Sequence, residues 1–239
     1  MTTKTASTAE VSQEGSKTTG IVVGVLIAAV VAVIIVAMAF GGTGDDTASS
    51  DAADSARIPT SGTLRQVSFA EADGEVLPRL DASLAADPAV GMTAPTITAS
   101  YFDNSETTID FADGQPRVVM FMAHWCPHCQ AEVTALVDRF ANEGVRADVE
   151  LIAISTSVDE GAPNYPPSSW LTAEAWPIPV VRDSATNDLA TGFGLSGFPF
   201  FAVVNSDGEI VARQSGAIPQ SQWNVFLDQA LTGGETLSQ

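Results

Sequence analysis

The feature that most constrains this chain is a pair of cysteines, Cys126 and Cys129, placed where a strand is expected to pass into a helix. The strand is predicted from residues 118–122, a continuous apolar run that suits a central strand covered on both faces. Beyond the cysteines, apolar residues recur at helical spacing until Gly144, a residue typical of a helix end. The chain has no other cysteine in its 239 residues, which excludes a multi-disulfide scaffold and a four-cysteine zinc site.

The expected position of Cys126 at the start of the helix predicts a reactive sulfur. A cysteine there lies beside unpaired backbone N–H groups and the positive end of the helix dipole, and both stabilise a thiolate over a thiol. Pro127 suits the first helical turn, where its missing N–H would have had no partner. Cys129 falls on the same helical face as Cys126 and is able to form a disulfide with it. We therefore predict a catalytic pair in which Cys126 attacks and Cys129 resolves.

The two histidines of the chain, His124 and His128, both flank this pair. A protonated imidazole close to Cys126 would favour the thiolate further. We therefore predict that His124 and His128 tune the reactivity of the sulfur, together with Pro127 and Trp125.

Three other interpretations of the cysteine pair remain open at this point. A structural disulfide closing a four-residue loop would contribute only about 2 kcal/mol, which is low for a crosslink. A Cu(I) site would use Cys126, Cys129 and either His124 or His128 as soft ligands, but no further cysteine or histidine exists to complete it. A redox-inert binding domain is the third, because fold alone does not decide function.

The rest of the sequence alternates strand and helix patterns and ends in a hairpin around Asp207-Gly208. This order predicts an α/β fold, a mixed sheet with helices on both faces. Besides the run at 118–122, the predicted strands are 97–102, 107–111, 149–154, 179–181, 198–204 and 209–213. The predicted helices after the one that ends at Gly144 are 168–175, 184–191 and 219–231.

Three motifs together resemble the thioredoxin superfamily, particularly its membrane-anchored, extracytoplasmic TlpA-like thiol-disulfide oxidoreductases, over about residues 88–232. They are Gly91-x-x-Ala94-Pro95, Trp125-Cys126-x-x-Cys129-x-x-Glu132, and Gly197-Phe198-Pro199 followed by a strand, Asp207-Gly208 and another strand. The resemblance implies a thioredoxin-like sheet and thiol-disulfide exchange without a cofactor. It implies as partners the thiols or disulfides of exported proteins and a membrane redox protein.

The resemblance also assigns residues beyond the cysteines. In the family, the proline matching Pro199 is cis and faces the cysteines, and the peptide before it pairs with the substrate backbone, which places Phe198 and Pro199 in a substrate groove. Phe198 is larger than the usual family residue and is expected to narrow that groove. Cytosolic thioredoxins carry a buried acid where this chain has Met120, so Glu132 or water is expected to transfer the proton.

The direction of electron flow is predicted from the dipeptide between the cysteines. Pro127-His128 is similar to the dipeptide of strongly oxidising periplasmic oxidoreductases, and whatever stabilises the reduced thiolate makes the disulfide a stronger oxidant. This favours oxidation of substrates. The overall layout, however, resembles reductases that serve cytochrome c maturation, and reduction remains the alternative.

Residues 20–40 predict a location at the cell membrane. They carry no charged or polar side chain, and at about 1.5 Å per residue a helix of this length spans the roughly 30 Å hydrocarbon layer. Lys17 precedes the segment and only acidic charges follow it up to Arg57, so the N-terminus is expected in the cytoplasm and the domain outside. The alternative is a cleaved signal peptide, since Ala37-Met38-Ala39 resembles a cleavage site.

Charge and composition complete the predicted organisation. With 29 acidic against 10 basic residues, the net charge of −19 excludes a nucleic-acid partner. Residues 41–62 contain too little apolar surface to order themselves. The predicted segments are a cytoplasmic tail (1–19), a transmembrane helix (20–40), a flexible linker (41–62), an N-terminal extension (63–90), a thioredoxin-like domain (91–232) and a disordered tail (233–239).

Overall fold

The computed structural model of the chain describes residues 55–234. The predicted cytoplasmic tail (1–19) and transmembrane helix (20–40) lie outside these residues, as do most of the predicted linker and of the C-terminal tail. Within the described part, no helix is both long enough and apolar enough to cross a membrane.

Eight strands and four helices make up the described chain. The strands are β1 (Glu71–Asp73), β2 (Thr96–Tyr101), β3 (Glu106–Ile109), β4 (Arg117–Met122), β5 (Glu150–Ser155), β6 (Val180–Arg182), β7 (Phe200–Val204) and β8 (Ile210–Ser215). The helices are α1 (Pro127–Glu143), α2 (Pro167–Ala173), α3 (Asp188–Gly192) and α4 (Trp223–Thr232), the last preceded by a 3-10 turn at Gln220–Gln222.

All eight strands form one mixed sheet with β4 and β5 near its centre. The order β6-β5-β4-β7-β8 runs parallel from β6 to β4 and antiparallel from β4 to β8. The antiparallel pair β2 and β3 extends the sheet beyond β6, and β1 also pairs with β2. The predicted α/β class is confirmed.

The central strand β4 separates two apolar cores, because its side chains alternate between the faces of the sheet and every one of them is buried. Met120 and Met122 face a core that contains the buried sides of α1, α2 and α4. Val119 and Phe121 face a second core, formed with α3 and with apolar residues of the N-terminal extension. Each face of the sheet is therefore covered, as the continuous apolar run predicts.

Most predicted elements are present, and the differences have local causes. The helix at 184–191 begins only at Asp188, because Ser184 and its neighbours form a turn held by side-chain hydrogen bonds. The predicted linker extends to residue 62, yet Ala56 and Ile58 are buried in the α1 core. The burial of these two side chains is not predicted, because composition averaged over the whole stretch hides two apolar residues.

A buried arginine joins the N-terminal extension to the sheet. Arg213 on β8 donates to both oxygens of Asp87, at 2.8 and 2.5 Å, and its side chain is fully buried. It also donates to the carbonyls of Pro78 and Phe193, each at 2.8 Å. Gly194 makes this approach possible, since a Cβ there would lie 2.3 Å from the Pro78 oxygen.

Replacing Arg213 by Met is expected to lower the free energy of unfolding by about 3 to 5 kcal/mol, because it leaves the Asp87 carboxylate without its partner. Adding Asp87→Asn to the same chain should recover part of the loss. Urea unfolding followed by circular dichroism measures both. The control is Arg79→Met, which removes an exposed arginine with one hydrogen bond to the Ser196 carbonyl. An Arg213→Met loss no larger than the control's would contradict the role of the ion pair.

Candidate active site

The turn between β4 and α1 places the two cysteines. Cys126 is the residue that precedes the first turn of α1, with extended backbone angles, and Pro127 occupies the first helical position. The backbone N–H of Cys126 donates to the Ala123 carbonyl at 3.0 Å, so the chain turns immediately after the strand. Both cysteines are free thiols, the reduced form of the pair. The structure thus has Cys126 at the helix start that the sequence predicts.

The two sulfurs have different surroundings. Cys126 retains 6% of its surface exposed, and its Sγ lies 4.0 Å from the Phe198 carbonyl oxygen. Cys129 is fully buried, and its Sγ accepts a hydrogen bond from the Ala123 N–H at 3.4 Å. Burial raises the pKa of the Cys129 thiol far above its ordinary range. Cys126 is therefore the sulfur that a partner reaches first, and Cys129 stays protonated behind it.

Trp125 and Phe198 form the apolar rim of the site. The Phe198–Pro199 peptide bond is cis, as the family resemblance implies, and Pro199 is buried. The Trp125 and Phe198 rings meet edge to face, with centroids 5.7 Å apart, and both remain partly exposed. The Trp125 Nε1–H donates to the Ser157 carbonyl at 2.7 Å. The predicted groove residues thus lie beside the Cys126 sulfur, and their role in binding stays a prediction.

Glu132 is a buried carboxyl on the same helix as the cysteines. It is 3% exposed, its Oε2 accepts the Ile218 N–H at 3.3 Å, and its Oε1 has no hydrogen-bond partner among the described residues. Burial raises its pKa to about 7, and the Ile218 N–H opposes that rise only in part. Met120, which stands where cytosolic thioredoxins carry an acid, lies fully buried in the same core as Cys129. Glu132 thus titrates near neutrality close to the pair.

His124 is buried with both ring nitrogens facing backbone groups, and its predicted influence on the thiolate stays a prediction. The residue is 1% exposed, its Nδ1 faces the Pro163 carbonyl at 2.8 Å, and its Nε2 accepts the Asp159 N–H at 3.2 Å. Because a backbone N–H only donates, Nε2 carries no proton and the imidazole is neutral. A neutral ring with both nitrogens occupied does not supply the positive charge expected near Cys126.

His128 and Pro127 lie at the surface, in the first turn of α1. His128 is therefore the histidine that remains available to influence the thiolate, and its role stays a prediction. Among residues 55–234, no group of three or more histidine, cysteine, aspartate or glutamate side chains is placed to hold a metal ion. With both nitrogens of His124 bound to backbone groups, the Cu(I) interpretation loses one of its proposed ligands.

Sequence patterns did not single out three polar residues that support the site, which are Gln130 on α1, Asn164 in the loop after β5 and Asn187 before α3. Asn164 and Gln130 both donate side-chain hydrogen bonds to the His124 carbonyl, at 3.3 and 3.0 Å. Asn187 accepts the Ser157 N–H at 2.9 Å. Each of these contacts involves a backbone atom, which leaves no pattern of paired side chains to recognise. For Asn164, the signal available in the sequence was the loop after β5, which is long and rich in proline.

Comparison with known proteins gives a consistent result. The family model described as Redoxin matches residues 89–226, more than half of the chain. The thiol:disulfide interchange protein DsbE of Haemophilus influenzae is 27% identical over 156 residues, which cover 65% of this chain and 80% of that protein. Tryparedoxin of Trypanosoma brucei brucei is 24% identical over 124 residues, 51% of this chain and 83% of that protein.

Other similar proteins match over a smaller share of their own length or with a TM-score below 0.5. Nucleoredoxin of Bos taurus is 25% identical over 105 residues, and the match spans only 23% of its length. Among solved structures, a thiol:disulfide interchange protein of the thioredoxin family from Chlorobium tepidum TLS has a TM-score of 0.46 and 22% identity, covering 61% of this chain and 99% of that one. StoA from Bacillus subtilis has a TM-score of 0.43 and 20% identity, covering 57% and 96%.

The free energy of unfolding of a Glu132→Gln variant, relative to that of the wild type, is expected to increase as pH rises. The pKa of the carboxyl is about 7 in the native state against an ordinary value of 4.5, so the native state holds the proton more tightly than the unfolded chain. The wild type therefore has its full stability below about pH 4.5 and loses up to about 3 kcal/mol as pH rises through 7, whereas Gln does not titrate.

The measurement is urea unfolding of both reduced proteins between pH 4.5 and 8.5, taken as the difference between them so that other titrating groups cancel. A difference that stays constant with pH would show that Glu132 has an ordinary pKa.

Proposed function

Because this chain belongs to the Redoxin family and is a thiol-disulfide oxidoreductase, we propose that it exchanges disulfides with exported proteins through Cys126 and Cys129. The observation that carries this proposal is the unequal placement of the two sulfurs. Cys126 lies at the start of α1, beside the Phe198 carbonyl, and Cys129 is fully buried one turn further on. An accessible attacking sulfur backed by a protected resolving sulfur is what disulfide exchange requires.

In the oxidising direction, a substrate thiolate attacks Cys126 Sγ of the Cys126–Cys129 disulfide. The bond between the two cysteines breaks, Cys129 leaves as a thiolate, and a mixed disulfide joins the substrate to Cys126. A second substrate thiolate then attacks the substrate sulfur of that bond, which completes the substrate disulfide and releases Cys126. Two electrons now reside in the reduced pair, and a membrane redox partner removes them, since the chain has no third cysteine.

Glu132 is proposed to supply the proton that Cys129 takes up on leaving. The negative charge of Glu132 raises the pKa of Cys129 further, so a buried carboxylate and a buried thiolate disfavour each other. With a pKa of about 7, the carboxyl is able to give up a proton near neutral pH and take one back from solvent. Glu132 thereby takes the place of the acid that is absent at position 120.

Oxidation is the proposed direction, and its support is the Pro127-His128 dipeptide. His128 lies exposed in the first turn of α1, where a positive charge would favour the reduced thiolate form of Cys126 and so make the disulfide more oxidising. Reduction of substrate disulfides is the alternative. In that case Cys126 attacks the substrate disulfide and Cys129 releases the mixed disulfide.

We further propose that the domain works outside the cell membrane on a single-pass anchor, with the N-terminus in the cytoplasm. The support is the uncharged apolar segment 20–40, with Lys17 before it and acidic residues after it. Protease treatment of intact cells tests this, because an extracytoplasmic domain is degraded from outside and a cytoplasmic one is protected. Retention of the chain in the membrane fraction after a carbonate wash distinguishes an anchor from a cleaved leader.

A Cys129→Ala variant is expected to accumulate mixed disulfides with other proteins through Cys126, because Cys126 still attacks their disulfides while the thiol that resolves such a bond from within the pair is absent. Non-reducing gels of cells that export proteins, followed by mass spectrometry, identify the trapped species. The matched control is Cys126→Ala, which should trap about tenfold less because Cys129 is buried. If Cys129→Ala formed no mixed disulfides, or if both variants formed equal amounts, the result would count against exchange at Cys126.

Direction is decided by the reduction potential of the pair, measured against glutathione buffers by gel shift after alkylation. A potential above about −160 mV is expected from the proposed oxidising role, and one below about −220 mV would establish the reductase alternative. Replacing His128 by Ala should move the potential to a lower value if that side chain favours the reduced form. An unchanged potential would remove His128 from the mechanism.

A further inference from the structure

The dipeptide that precedes Cys126 binds a loop of the domain through four hydrogen bonds. The loop, residues 157–165, follows β5, and almost all of its side chains from Asp159 onward are exposed. Trp125 donates to its first residue, Ser157, and the His124 ring binds it at Asp159 and at Pro163. Since the loop buries few side chains of its own, these hydrogen bonds are a principal support of its conformation.

The buried His124 side chain bridges two separate points of this loop, at Asp159 and Pro163. Its Nδ1–H donates to the Pro163 carbonyl and its Nε2 accepts the Asp159 N–H. No amide or hydroxyl side chain at this position makes both hydrogen bonds over the same distance. The Tyr165 ring packs edge to face on the imidazole, with centroids 6.0 Å apart. The His124 carbonyl accepts a further hydrogen bond from Asn164. Ring and backbone of one residue thus fix the far half of the loop.

We propose that His124 is a positioning residue for polypeptide substrates, one that builds a wall of the substrate groove by holding the loop 157–165 beside Trp125. The proposal rests on the proposed function, since it concerns how a protein substrate reaches Cys126. It differs from the role first expected of His124, because a neutral ring bound to two backbone groups acts on the groove and leaves the sulfur chemistry unchanged.

The location of the loop makes it a determinant of binding. Ser157 holds the indole of Trp125, and Trp125 in turn packs on Phe198, whose carbonyl lies 4.0 Å from Cys126 Sγ. A polypeptide that contacts Phe198 must also pass the Trp125 side of the groove. A small disulfide needs access only to the sulfur. Loss of the His124 bridge should therefore affect the two kinds of substrate differently.

The test compares the wild type with His124→Ala and His124→Gln. Insulin is the polypeptide disulfide, with dithiothreitol present to reduce the pair again after each turnover. The small disulfide is 5,5′-dithiobis(2-nitrobenzoate), which reacts once with each reduced protein in the absence of dithiothreitol. We expect His124→Ala to raise KM for insulin about fivefold or more, with kcat within about twofold and the rate with the small disulfide within about twofold. His124→Gln retains one donor and one acceptor and should recover part of the loss. Val225→Ala, at an exposed position on α4, is the control.

The outcomes separate the proposal from the function on which it rests. A parallel loss with both disulfides would show that His124 acts on the sulfur chemistry, and unchanged kinetics with insulin would show that the loop needs no bridge. Either result overturns the proposal while the wild type stays active. A wild type that reacts with neither disulfide would instead overturn the proposed function.

Two further measurements apply if His124→Ala does not fold. Asn164→Gly removes the loop's side-chain hydrogen bond to the His124 carbonyl, and glycine is suited to the positive φ of 60° there. It should raise KM for insulin about twofold and leave the small disulfide unaffected. In the wild type, ¹⁵N NMR of the ring should show the neutral form protonated on Nδ1. A proton on Nε2 at pH 7 would contradict the bridge.

Discussion

The site depends on the turn at Ala123, where the fully buried strand β4 ends and the chain enters α1. The Ala123 carbonyl accepts the Cys126 N–H, and the Ala123 N–H donates to the Cys129 sulfur. One residue thus fixes both cysteines relative to the sheet. Because β4 is bonded to β5 on one side and β7 on the other, the turn cannot shift without breaking the centre of the sheet. The two sulfurs are therefore presented at the end of the central strand of the sheet.

The same geometry makes the two thiols chemically unequal. The helix start keeps Cys126 near the surface, whereas helical spacing carries Cys129 into the α1 core, where desolvation favours its protonated form. Burial also keeps the Glu132 carboxyl protonated up to about pH 7. Although the core is apolar at Met120, the buried Cys129 sulfur therefore still has an acid nearby, namely Glu132. The acid comes from the helix, one turn beyond Cys129, instead of from the strand below it.

The sequence predicts those parts of the molecule that depend on local patterns. The apolar run at β4, the helical spacing of α1 and the hairpin after β7 follow from periodicity and turn residues, and the cysteine pair follows from its place between them. The bridge between Arg213 and Asp87 joins residues far apart in the chain, so no local pattern predicts it. The contacts of the His124 ring are not predicted because its partners are backbone atoms, which residue types do not reveal. The ordering of Ala56 and Ile58 was missed for a similar reason, since it depends on a distant core.

In the proposed function, the short stretch from Ala123 to Cys126 joins two tasks that have different physical requirements. Exchange needs a sulfur whose surroundings do not move, and Ala123 provides this through the sheet. Recognition of varied polypeptides needs a surface whose sequence is able to vary among related oxidoreductases. Loops provide such surfaces more readily than strands. His124 and Trp125 attach an exposed loop to the end of the central strand through four hydrogen bonds. Changes in that loop would alter which substrates bind while the position of Cys126 stays set by β4.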